Sequence, residues 1–404
     1  MTITADLMPT AATGRNTRGR VPIGRIMLNG QDLTIQVSEL SLSFSDSAHD
    51  SVTLKAQSTT LEDLDGMVDS TISFYWGSAP HTEPFSGYIV DAEKNQVTQG
   101  ALSFTLSILG TTKVMYEGFP RFWTDKTIPH AVRDLSYKNL LGFVGHEHPY
   151  VWQVLAQTEE SDWTIANRLT QRLGWMLFNR YGVLLCYDPL RLFTESGIYT
   201  RLVLGSEVSP DTDRYLIDFT PTERAEVIQE SLGTKYGYFT SGGKEQVATS
   251  PGSYRGYIFD TSKVIRDQDE ADVYVAAGDL ETSNWKQHAV ARMWGDADIY
   301  PGMCVEVLTT NRRYVKDKFD GKWLVRNAVH RLNRQQYQTM LYLCRPDSSS
   351  GVHDAAFTPF WQDGSGRAKP VLTLEQPTQA GQSGTETPGI WASSWADRTY
   401  RSVL

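Results

Sequence analysis

Apolar and polar residues alternate with a period of two through the first hundred residues: Leu40, Leu42 and Phe44; Val52 and Leu54; Ile72 and Phe74; Phe104, Leu106 and Ile108. This period sets one face of each run on a core and the other in water, as a β-strand does. Turn-forming pairs such as Asn29-Gly30 and Gln99-Gly100 separate the runs. The pattern predicts a small antiparallel barrel or sandwich over 21–110, all-β apart from one helical turn at Leu61 to Leu64. Residues 1–20 have no periodicity and are expected to form a flexible arm.

The texture changes over 111–190. Thr127, as N-cap, and Pro129 open a short helix to Leu135. Ser161 can cap a second helix whose Trp163, Ala166, Leu169 and Leu173 share a face, and Gly174 is placed to end it. Trp175 to Tyr187 then alternates around Asn179 to Gly182, a hairpin signal. An α+β insert is expected here.

Strand patterns resume over 191–345, at Leu202 to Leu204, Tyr215 to Phe219 and Tyr236 to Phe239. Thr240 to Ser253 suggests a loop, the acidic run from Asp267 to Asp272 the start of a helix, and Trp285 to Met293 a further helix. A second β domain, with an excursion at about 240–298, is thus expected. Over 346–404 the chain turns to Pro, Gly, Ser, Thr and Gln with isolated Trp361, Trp391, Trp395 and Tyr400, a tail unable to bury a core alone but able to anchor on a partner.

The two β regions echo each other. Phe85, Gly87, Tyr88, Ile89, Val90 and Ala92, then Phe104, Thr105, Leu106 and Ile108, are matched by Phe319, Gly321, Trp323, Leu324, Val325 and Ala328, then Tyr337, Thr339, Leu341 and Leu343. Upstream, Thr71 to Tyr75 precedes Phe85 as Cys304 to Leu308 precedes Phe319. The fold class is therefore α+β and mostly β: two similar small barrels separated by the insert. Ile72, Phe74, Phe85, Gly87, Val90, Val305, Val307, Phe319, Gly321, Trp323 and Val325 are the candidate barrel framework and ring interface, since a duplicated module is one way to build a ring.

Bulk properties narrow the function. The 404 residues suffice for two to four domains, and no apolar run approaches the length of about 20 that spans a bilayer. No secretory signal is evident, so the protein is expected to stay in the compartment that makes it. Cys186, Cys304 and Cys344 lack metal-ligand spacing and suit reduced core thiols. A net charge of −9 argues against broad binding to nucleic-acid phosphates.

Chemistry is hard to find. Gly242-Gly243-Lys244 lacks the upstream glycine and following hydroxyl of a phosphate loop. His146 and His148 could share a metal on one strand face, but no third ligand is evident and Pro149 follows. Glu159, Glu160 and Asp162 suit a helix start better than a paired-carboxylate glycosidase. Asp267, Asp269, Glu270 and Asp272 lack the glycine of a calcium loop. No catalytic, cofactor-binding or metal-binding residue is assigned, and an enzyme is not expected.

Ser161-Asp162-Trp163, the helix through Leu173-Gly174-Trp175, the hairpin ending Cys186-Tyr187-Asp188-Pro189, and then Pro301-Gly302, Trp323-Leu324-Val325, His330 and Tyr337 to Arg345 resemble the baseplate hub family of phage tails. This is the late control protein D type, similar also to the amino-terminal part of type VI secretion spike proteins. The resemblance implies a homotrimer whose paired barrels form a pseudo-six-fold ring, joining a six-fold tail tube to a three-fold central spike and letting DNA pass. It implies tail tube, spike and other baseplate proteins as partners, no cofactor, and a place in the virion tail after assembly in the host cytoplasm. Unlike spike-fused relatives, the chain has no β-helix or lysozyme segment after Pro346. The alternatives are a carbohydrate-binding β module, with Trp76, Trp123 or Trp361 as stacking platforms, or a cell-wall-degrading tail enzyme.

Overall fold

Strands account for most of the described residues. The computed structural model describes residues 23–346 apart from 60, 62–63, 78–83, 99–100, 205–212, 224–231, 240–244, 250–255, 260–266, 280–284, 286, 310–318 and 334–335. The amino-terminal arm, Gly242-Gly243-Lys244 and the tail with its four aromatic anchors lie outside the described residues.

The first unit comprises β1 (Ile23–Leu28), β2 (Gln31–Asp32), β3 (Gln36–Ser45), β4 (Ser51–Ser58), β5 (Thr71–Trp76), β6 (Phe85–Thr98) and β7 (Ala101–Gly110). Asn29 and Gly30 turn the β1–β2 hairpin at φ 48° and 78°, the left-handed backbone a two-residue loop between twisted strands requires. Burial alternates strictly along β7, so Leu102, Phe104, Leu106 and Ile108 meet Leu40, Leu42, Val52 and Leu54 in one core. Leu61 and Leu64, expected to bound a helical turn, are both non-helical.

A short 3-10 helix (Thr111–Tyr116) leads into the insert: β8 (Arg121–Lys126), α1 (Ile128–Lys138), β9 (Gly142–Gly145), β10 (Trp152–Gln157), α2 (Asp162–Gln171), β11 (Met176–Arg180) and β12 (Val183–Tyr187). The Thr127 and Ser161 hydroxyls accept the His130 and Thr164 N–H groups at 3.4 and 3.1 Å, capping α1 and α2. Gly174 leaves the second helix at φ 67°, and Tyr181 and Gly182 turn the β11–β12 hairpin. Ile128, Val132, Leu135, Ile165, Leu169 and Leu184 close a separate core.

The remainder is α3 (Pro189–Glu195), β13 (Ile198–Leu204), β14 (Asp213–Glu223), β15 (Leu232–Phe239), β16 (Glu245–Thr249), β17 (Gly256–Phe259), α4 (Gln268–Asp279), β18 (Gln287–Trp294), β19 (Cys304–Leu308), β20 (Gly321–Asn333) and β21 (Tyr337–Arg345). Two expectations change. The supposed loop Thr240 to Ser253 contains β16, and the supposed helix Trp285 to Met293 is largely strand β18. In β18, Gln287, Ala289, Ala291 and Met293 are buried while Val290, Arg292 and Trp294 are exposed. Alanine is a weak strand former, so its use on the buried face disguises the period of two.

Strands β19, β13, β14, β18, β21 and β20 pair in that order, and β20 pairs back to β19, so the second unit is a closed barrel around Val305, Val307, Trp323, Val325, Leu341 and Leu343. Closure depends on β13, which runs parallel to both β14 and β19. The first unit's sheet runs β3-β4-β7-β6-β5-β1-β2 with no ladder between β2 and β3. Strand β3 pairs instead with β20, making both units one continuous sheet. The insert's Met176, Phe178, Val183 and Leu185 pack with Cys304, Leu324 and Cys344, outside the barrel's own core.

Candidate assembly surfaces

The four strands β3, β4, β7 and β6 correspond to β14, β18, β21 and β20, with two bulges in common and a further one, between Lys94 and Gln96 of β6, that β20 lacks. The β6–β7 ladder shifts register between Ile89 and Asp91, and the β20–β21 ladder between Val325 and Asn327. The β3–β4 ladder shifts between Val37 and Glu39, and β14–β18 between Leu216 and Asp218. Even the loop beside each bulge recurs: the main chain of Asp69 and Ser70 bonds both polar groups of Ile89, as Gly302 and Met303 do for Val325. Asp69 and Gly302 both stand at positive φ, 67° and 89°. Glu39 and Lys55 form an ion pair at 2.9 Å where the other unit has Asp218 and Arg292 at 3.7 Å. Bulges are features a family of strands keeps, so shared bulges mark a shared module.

Within that register the framework residues sort unexpectedly. Ala92 matches Ala328, as the sequence echo has it, but Ile89 matches Val325, Gly87 matches Trp323, and Phe85 matches Gly321. Ile72 and Phe74 correspond to Val305 and Val307. Phe74 stacks on Phe85 at 5.3 Å in the first core, and a Cβ on Gly87 would lie 3.0 Å from the Phe85 ring. In the barrel, Trp323 fills the middle, its indole N–H donated to the Phe319 carbonyl at 3.0 Å. The two cores thus exchange large and small residues between neighbouring positions, as close packing at constant volume demands. Val90 is the half-buried residue at the first of the two bulges of β6.

The seam between the units is ladder plus polar lock. Strands β20 and β3 pair from Asn327 opposite Ser45 to Asn333 opposite Glu39. Ser45 donates to the Asn327 side chain at 2.9 Å, and Asp46 forms an ion pair with Arg326, the bulge residue of β20. Burial pushes the Asp46 carboxyl above its ordinary pKa against the pull of Arg326. His330 lies beneath, fully buried between Phe44 and Trp76, with Nδ1 3.1 Å from both Tyr337 Oη and Thr339 Oγ1 and Nε2 3.1 Å from the Ile299 carbonyl. Burial holds its pKa down to about 3, so it joins the units as a neutral hydrogen-bonding ring.

Within the two four-strand modules, two edges stay open among the described residues. Strand β5 covers β6 only from Phe85 to Tyr88, leaving Asp91 to Thr98 paired on one side, to β7. Strand β13 covers β14 only from Asp213 to Leu216, leaving Ile217 to Glu223 paired on one side, to β18. Glu93 and Asn95 on the first edge, and Thr220 and Thr222 on the second, are exposed.

The other candidates are structural. The His146 and His148 Nδ1 atoms accept the Asp188 and Tyr150 N–H groups, each at 3.1 Å, and burial holds both rings' pKa down to about 3. No group of three metal-ligating side chains occurs among the described residues. Asp162 is fully buried and accepts from Lys138, Asn139 and Gln157, each at 2.8 Å, so the Ser161-Asp162-Trp163 motif ties α2 to α1 and β10. Glu160 instead pairs with Arg168 at 2.6 Å. Trp76 and Trp123 are 2% and 7% exposed, which removes them as sugar platforms, since stacking needs an open ring face; Trp361 lies outside the described residues. Asp50 was not singled out by its sequence context. It is wholly buried where β4 begins, bonded by the Asn179 amide at 3.1 Å, and burial pushes its pKa up to about 8.

Comparison with known proteins locates the fold. No protein-family model matches the chain, and neither does any curated protein. Among solved structures, a tail protein from Neisseria meningitidis MC58 superposes with a TM-score of 0.60 at 12% identity, covering 80% of this chain and 96% of that one. The 43 kDa tail protein of prophage MuSo2 from Shewanella oneidensis gives 0.59 at 12% identity, covering 81% and 99%. An E. coli component of the type VI secretion system, itself structurally similar to the T4 bacteriophage tail proteins gp27 and gp5, gives 0.53 at 12% identity, covering 80% and 77%. The chain has the fold shared by these tail and secretion proteins.

Proposed function

We propose that the chain is a structural hub protein of a phage tail baseplate, three copies of which close into a pseudo-six-fold ring. The ring adapts a six-fold tail tube to a three-fold central spike and leaves a passage for DNA. Its partners are two further copies of itself, the tube protein, the spike protein and neighbouring baseplate proteins, and its place is the virion tail, after assembly in the host cytoplasm. The observation that carries this reading is the duplicated four-strand module: each chain offers two like surfaces, so three chains offer six. The fold shared with tail proteins supports the same setting. A structural role, with no catalysis, fits side chains whose buried polar groups are engaged in holding units together. A net charge of −9 suits a passage along which DNA moves without adhering.

Light scattering on the protein, alone and mixed with its spike, tests the reading. Three chains per particle are expected, and negative-stain images with the tail tube should show rings of the tube's diameter with six-fold outline. A protein that stays single under both conditions would overturn the ring.

A further inference from the structure

Where the first unit, the insert and the second unit meet, they enclose a cavity of about 30 Å³. Phe44, Asp50 and Trp76 line it from the first unit, Asn179 and Arg180 from the insert, and Tyr300 from the second unit. Two buried polar atoms of this lining, Asp50 Oδ1 and Trp76 Nε1, have no hydrogen-bond partner among the described residues. Native folds seldom leave such atoms unpaired. The indole cannot swing its N–H elsewhere, because the ring is held against Phe44 at 5.8 Å and edge-on to His330 at 4.7 Å between centroids.

The neighbouring hydrogen bonds fix what Asp50 presents to the cavity. Thr111 Oγ1 donates to Asn179 Oδ1 at 3.2 Å, so the Asn179 amide nitrogen is turned to Asp50 and donates to its Oδ2 at 3.1 Å. Burial pushes the Asp50 pKa up to about 8, and in the neutral carboxyl the proton then sits on Oδ1. Two donors, an O–H and an indole N–H, therefore share one cavity and call for an acceptor. A cation there would face Arg180 and an anion would face the Asp50 carboxyl, so a neutral molecule suits the lining better. We propose that this cavity is a water site, in which a bound water accepts hydrogen bonds from Asp50 and Trp76 and ends a polar chain that starts at Thr111 and passes through Asn179. The volume exceeds the roughly 10 to 15 Å³ that one water requires, leaving room for a second to take up the first one's protons. The junction of the three units is thus joined through enclosed solvent, whereas the β20–β3 seam is joined by a direct ion pair. Nothing in this inference depends on how many copies of the chain assemble.

A crystal structure of the full chain, at a resolution that shows ordered solvent, tests the site, with further crystals soaked in bromide or held under xenon. A solvent peak within about 3.2 Å of both Asp50 Oδ1 and Trp76 Nε1 is expected, with no anomalous bromide or xenon signal in the cavity. A xenon peak would mean a dry apolar void, since polar sites of this size hold water instead, and would overturn the proposal. A bromide peak would overturn it in favour of an anion. A cavity with no peak of any kind, or one in which Asp50 and Trp76 bond each other directly, would overturn it as well.

Discussion

Asp50 is a buried carboxyl whose environment penalises its charge. Its pKa rises to about 8 because burial outweighs the Asn179 hydrogen bond that lowers it. In the unfolded chain it titrates near pH 4, so between those values the folded form holds a proton that the unfolded form has released. Its contribution to stability is therefore complete below about pH 4 and is lost as pH rises through about 8. Asp50→Asn, neutral throughout, should remove this slope. Relative to the variant, the native protein is expected to lose about 3 to 5 kcal/mol between pH 5 and pH 9, measured by urea unfolding at each pH. Parallel profiles for the two proteins would show that Asp50 is ionised in the fold.

At the scale of elements, two glycines that look alike in the sequence carry opposite requirements. A Cβ on Gly87 would lie 2.2 Å from the Leu109 carbonyl oxygen, main chain of the neighbouring strand. Gly197 has open space and no positive φ. Gly87→Ala should cost about 3 kcal/mol, the range of overpacking against an unyielding neighbour, while Gly197→Ala stays within about 0.5 kcal/mol; thermal unfolding of both variants checks the contrast. The strands β4, β5, β7 and β19, the caps Thr127 and Ser161, and the stop at Gly174 were legible because each is a local pattern. Strand β18 was not, because Ala289 and Ala291 on its buried face leave no apolar alternation to see. The repeat was legible but its register slipped by up to two residues at the hairpin ends, since Phe74, Phe85 and Gly87 give way to Val307, Gly321 and Trp323 at constant volume. Edges, seam and barrel closure depend on partners distant along the chain. Residues such as Asp46 and Arg326 therefore carry no local signal beyond being polar.

At the scale of the molecule, the two kinds of joint differ in strength. The internal seam lies within one polypeptide and adds the Asp46–Arg326 pair and the His330 bonds to its ladder, whereas the contacts between copies in the proposed ring join separate chains. Dilution should therefore separate copies before it disturbs either unit. Light scattering against concentration is expected to fall from three chains to one while near-ultraviolet circular dichroism holds constant. A loss of the aromatic signal in step with dissociation would mean that the units depend on their neighbours to fold.

The β20–β3 seam has a thermodynamic consequence for closing a circle. Free bodies that associate give up translational and rotational freedom, at a cost of about 4 kcal/mol or more for each docking event. A circle of alternating units in which every second contact lies within a polypeptide incurs that entropic loss at only half of its contacts. In the proposed ring, covalent linkage brings the other half together before any two subunits meet.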